Sequence, residues 1–168
     1  MSLSISSVAR AAVDQMFTGL EGTLKKGAAH AKASDVDPSV YLDWRVAPDM
    51  FPLKRQVVIA TELPARSLSR LAGAPIPSFD GEDQGFDDLI ARIAKAREII
   101  VGLSDAAIDA NPDADIVAPM GPQEMTFKRA DYFQTFILPN LYFHVTASYL
   151  ILRSTGVDVG KRDFLAAS

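Results

Sequence analysis

Apolar residues that recur every three or four positions over a long stretch leave a chain little choice of fold. From about Ser4 to Lys32, Ile5, Val8, Ala12, Met16, Leu20 and Leu24 follow the period of one helical face. Gly19, Gly22 and Gly27 each weaken the second half of this helix by roughly 1 kcal/mol relative to Ala. They point to a loose end or to close packing against a neighbour. Asp37 before Pro38 pairs an N-cap with the residue best suited to the first helical position, so a short helix carrying Tyr41 and the single Trp, Trp44, is expected next.

Pro52 starts a further helix, whose face Val57, Ala60, Thr61, Leu68 and Leu71 carries on until Gly73 stops it. Pro64, inside it, lacks an N–H and crowds the carbonyl of Ala60, which predicts a kink. A third long helix covers about Phe86 to Leu103. Asp80, Glu82, Asp83, Asp87 and Asp88 crowd its start, where they complement the positive end of the helix dipole; their spacing matches no calcium loop. "IVAPMGPQEMTF" reads as a small hairpin around a Gly-Pro turn. The last helix runs from near Lys128 to about Arg153, with Tyr132, Phe136, Leu141, Ala147 and Ile151 on one side, a kink at Pro139 and an end at Gly156. Four long amphipathic helices and one hairpin make an all-α helical bundle, read as one domain over residues 1–168.

The chain has 168 residues, 48% of them hydrophobic, enough for one domain with a real core. A net charge of −4 and scattered Lys and Arg residues provide no field for a phosphate backbone, so nucleic-acid binding is not expected. The absence of cysteine excludes disulfides and zinc–thiolate sites and fits a reducing compartment. "MSLSISSVARAAVDQMF" lacks the pattern of a signal peptide, and no stretch of about 18 uninterrupted apolar residues occurs. A cytoplasmic protein with no membrane partner is the expectation.

Few motifs offer chemistry. "GVDVGKR" at 156–162 has the wrong glycine spacing for a phosphate loop and no Ser or Thr after its Lys, and reads as a tail. No Gly-x-Ser-x-Gly elbow is present, and two histidines give a catalytic triad few bases. His144 stands out because Pro139 frees the carbonyl of Thr135, while Asn140 and His144, four apart, point the same way. Two polar groups on a buried helix either find partners or line a wet cavity. Gln56, near the start of the second long helix, is a candidate partner.

The runs "RVAPDMFPLKRQV" and "LPNLYFHVTASYLILRSTGVDVGKRDFL" resemble an uncharacterised domain-of-unknown-function family that covers essentially the whole chain and is grouped with the DinB/YfiT-like four-helix bundles. That superfamily is regarded as one of metalloenzymes, some of them thiol-dependent transferases. The resemblance implies a DinB-like four-helix bundle with kinked long helices, a short extra helix and a small β-hairpin before the last helix. It also implies a site in which one histidine of helix two and a His-x-x-x-His pair of helix four fall on Gln56, Asn140 and His144, so that one imidazole survives of three. The Arg-Gly-Gln that often follows is Val-Thr-Ala here. Amides and one imidazole make a poor divalent-metal site. The reading is therefore a degenerate, metal-free pocket at Gln56, Asn140 and His144 that binds an unidentified small molecule, with no cofactor and catalysis undecided. Two alternatives remain: a metal- or thiol-dependent enzyme in which His144 joins other ligands, such as His30 with Asp49 or Glu62, and a structural homodimer with an incidental pocket. A homodimer is expected in any case, since bundles with more apolar content than one core needs often pair through a helix face.

Overall fold

The computed structural model describes residues 3–81 and 83–167. Helix α1, Ile5–Ala33, starts at a reciprocal cap: Ser7 N–H donates to Ser4 Oγ (3.2 Å) and Ser4 N–H to Ser7 Oγ (3.0 Å). Two of its three glycines mark close approaches. A Cβ at Gly27 would stand 2.9 Å from both Leu152 and Phe86, and one at Gly19 would run into the backbone carbonyl of Phe164. Gly19 and Gly27 thus serve packing rather than fraying.

Helix α2, Pro38–Leu42, is capped by Asp37, whose Oδ1 accepts from Ser39 N–H at 2.8 Å. Trp44 falls just beyond it and is exposed. Helix α3, Leu53–Leu71, passes through a buried Pro64 without ending. Helix α4 is Phe86–Val101, slightly shorter than the apolar period suggests because Gly102 takes the cap position. A short helix α5, Asp105–Ile108, leads to strands β1, Asp115–Met120, and β2, Gln123–Lys128, paired antiparallel from Asp115 opposite Lys128 to Met120 opposite Gln123. Gly121 takes the left-handed conformation (φ 64°) that the tight turn requires.

The last long helix is continuous over Arg129–Ser154 but changes character along its length. A first turn α6, Arg129–Asp131, gives way to a π-helical segment, Tyr132–Ile137, and then to α7, Leu138–Ser154. Leu138 N–H bonds the carbonyl of Phe133, five residues back. Pro139 has no N–H to give, and the widened register just before it lets the helix run on. Gly156 (φ 89°) closes the end, with Val157 N–H on the carbonyl of Leu152. The segment read as a tail is ordered: α8, Lys161–Phe164, packs on α1, and its Asp163 accepts from Gly160 N–H (2.8 Å) and pairs with Lys26 (2.7 Å). The correction is physical: Gly160 and Asp163 form a small cap, and Gly19 leaves room for it to dock.

The four long helices pack in the cyclic order α1, α4, α3, α7, each touching two neighbours around one apolar cluster that includes Phe17, Leu24, Leu68, Leu89 and Ile151. The fold is a four-helix bundle with a hairpin before its last helix. By length and composition alone, Arg129–Ser154 is apolar enough to cross a bilayer. Leu141, Val145, Ile151 and Leu152 are buried in the bundle, as in the core helix of a soluble protein.

Candidate functional site

His144 lies on the face of α7 that meets α3, and Gln56 lies on the face of α3 that meets α7, one turn after the Pro52 start. They meet: His144 Nδ1 and Gln56 Oε1 are 2.6 Å apart, and both residues are buried. Gln56 Nε2 donates to the carbonyl of Phe51 at 3.1 Å, which orients the amide with its oxygen toward the imidazole. Nδ1 must then carry the proton and donate, leaving the lone pair on Nε2. Among the described residues that nitrogen has no hydrogen-bond partner, yet it is not one of their sealed, unpaired polar atoms, so it reaches solvent. The exposed ring of Phe143 stands edge-on to the imidazole at 5.2 Å.

Asn140 does not join this pair. Its Nδ2 donates to the carbonyl of Phe136 at 2.8 Å, bracing the helix where Pro139 follows the π-helical segment. Clefts of 240–630 Å³ open on the described surface, and these are lined by side chains other than Gln56, Asn140 and His144. The tight contact between α3 and α7 leaves the pair little room beyond the open edge of the ring.

Burial pushes the His144 imidazole down from 6.5 to about 4, and the Arg55 guanidinium nearby adds to the effect. The ring is neutral at physiological pH. Unfolded, it takes a proton below about 6.5; folded, only near 4. Between these values the unfolded chain binds more protons, so the contribution to stability is whole above pH 6.5, falls as pH drops toward 4, and levels off below. The loss is expected to be on the order of 3 kcal/mol at most. An NMR titration of the His144 ring should give a midpoint near 4, and a midpoint at 6 or above would show that the ring is solvated.

The alternative ligand set is not assembled. His30 packs edge-on against Tyr41 (5.8 Å), and both carboxylate oxygens of Glu62 are taken, Oε1 by Arg92 at 2.6 Å and Oε2 by Arg66 at 2.9 Å. Among the described residues no three of His, Cys, Asp and Glu come together as a metal would need. A lone imidazole Nε2 beside two engaged amides is a poor donor set for a divalent metal.

The acids at the start of α4 do not all serve its dipole. Asp88 caps it, accepting from Gln84 N–H and Gly85 N–H at 2.9 Å each. Asp83 instead turns inward to a buried Arg92, with Nη2 to Oδ2 at 2.8 Å. Glu82 lies outside the described residues. The missed signal was an arginine at position 92, between Leu89 and Ile93 on the inner face of α4.

A family model described as "Domain of unknown function (DUF1993)" matches residues 6–165. The crystal structure of a DinB family member protein from Shewanella denitrificans is similar at 32% identity, with a TM-score of 0.87, over 97% of this chain and 92% of that one. No curated protein matches.

Proposed function

The chain belongs to the DUF1993 family, with the fold of a DinB family member, and from that premise we propose that it binds a small polar organic molecule at the Gln56–His144 pair without a metal. The observation that carries this reading is the 2.6 Å contact that commits His144 Nδ1 to Gln56 and leaves Nε2 as an outward acceptor. A ligand would present an O–H or N–H to Nε2 and lay an apolar part on the ring of Phe143. Binding is favoured over catalysis, since a base that protonates only near pH 4 draws protons weakly at neutral pH. Asn140 would shape the rim through its brace on Phe136.

The test is a thermal-shift screen of metabolites, with hits measured by calorimetry on wild type and His144→Ala. Hits that lose about tenfold or more in the variant support the reading. Elemental analysis that finds about one zinc or nickel per chain, lost in His144→Ala, would sink the metal-free part. We also propose a homodimer, supported by Tyr142 and Leu150, exposed on α7. A single 18.1 kDa particle in light scattering at all concentrations would overturn it.

A further inference from the structure

We propose that the cleft of about 540 Å³ between α3, the hairpin turn and the π-helical segment is a second binding site, one for an organic anion with an apolar body. It is independent of the His144 reading and lies along a different face of α3. Arg55, Arg66 and Arg70 line it, against one carboxylate, Glu62. Both oxygens of Glu62 are already engaged, by Arg66 and by the buried Arg92. Among the described residues Arg55 and Arg70 have no acidic partner, so the cleft is a concentrated positive field on a protein whose net charge is −4.

Arg66 and Arg70 are four apart on one helix, an arrangement of like charges that disfavours the helix unless something negative sits between them. Two guanidinium forks one turn apart match a carboxylate or a phosphate monoester, which accept paired N–H donors. The apolar part of the wall, including Leu63, Ile76 and Phe136, suits an aromatic or alkyl body. Tyr132 O–H, also lining the cleft, donates to Ser67 Oγ at 2.8 Å without a ligand, whereas Arg55 and Arg70 have no acidic partner among the described residues. The volume is that of a site for a drug-sized molecule rather than for a single ion.

The experiment titrates the full chain by calorimetry with naphthalene-2-carboxylate and 2-naphthyl phosphate, with neutral naphthalene-2-carboxamide as the control. At least one acid is expected to bind about tenfold or more tightly than the amide, to weaken as salt is raised, and to lose about tenfold in Arg66→Gln/Arg70→Gln. The tighter of the two acids assigns the head group. Affinity should survive His144→Ala, so the two sites fail or stand separately. Arg70→Gln alone leaves the Arg66–Glu62 pair intact and should show a smaller loss in the same direction. Equal binding of acid and amide, no binding of either acid, or unchanged affinity in the double variant would overturn the proposal.

Discussion

Arg92→Ala is expected to lower stability by about 3–5 kcal/mol, because it leaves the buried Asp83 with no cation to answer it and takes from Glu62 one of its two. Arg92 Nε meets both oxygens of Asp83 (3.0 and 3.1 Å), Nη2 meets Oδ2 again, and Nη1 meets Glu62. The arginine and Asp83 are each less than a tenth exposed. One side chain of α4 thereby ties the loop before its own helix to the middle of α3. The loss comes mainly from stranding Asp83, not from removing attraction. A double replacement of Arg92 and Asp83 by apolar residues of similar volume should therefore cost far less than Arg92→Ala alone, while Glu62 keeps Arg66. Urea unfolding of the three proteins checks this. A loss below about 1 kcal/mol for Arg92→Ala would mean that water reaches the network.

Phe17→Ala should cost a similar amount, about 3–5 kcal/mol, for a different reason. The ring is fully enclosed within the central cluster, and the Arg97 guanidinium lies 6.0 Å from its centre on the outer side. Truncation removes apolar contact and leaves a void that four long helices cannot close without moving together. For a chain of this length the melting temperature should fall on the order of 10 °C. Phe51→Ala, at a residue 51% exposed whose ring meets the Arg55 guanidinium, is the matched control and should change stability by less than about 1 kcal/mol. If scanning calorimetry gives equal losses for the two variants, Phe17 is not the core residue its burial indicates.

The architecture was legible in the sequence wherever one physical rule dominated. Asp37-Pro38 capped a helix, Pro64 was absorbed, and Gly156 closed the last helix, because each follows from local backbone chemistry. No spacing rule links residues 88 apart, so Gln56 could be named only as a candidate partner of His144 from its place near the start of its helix, and the resemblance pointed to the same residue. Three features escaped. Asp83 looked like its acidic neighbours, and only the position of Arg92 on the inner face separates it from them. Asn140 shares the direction of His144 along the helix, yet the nearest carbonyl, that of Phe136, claimed its amide first. The "GVDVGKR" stretch lacks an apolar period, so nothing local announced that Gly19 of α1 would receive it.

The π-helical segment sets the phase of the last helix. Tyr132 reaches α3 through Ser67, and His144 reaches the same helix through Gln56, twelve positions later. In an unbroken α-helix twelve steps of about 100° leave two side chains about 120° apart, so one of them would point away from α3. A π turn takes up one additional residue, and the effective eleven steps bring the two to within about 20° of a common face. The extra residue before Pro139 acts as a correction of angle: it lets a single rod hold α3 at both ends, the cleft beside Tyr132 at one and the imidazole at the other.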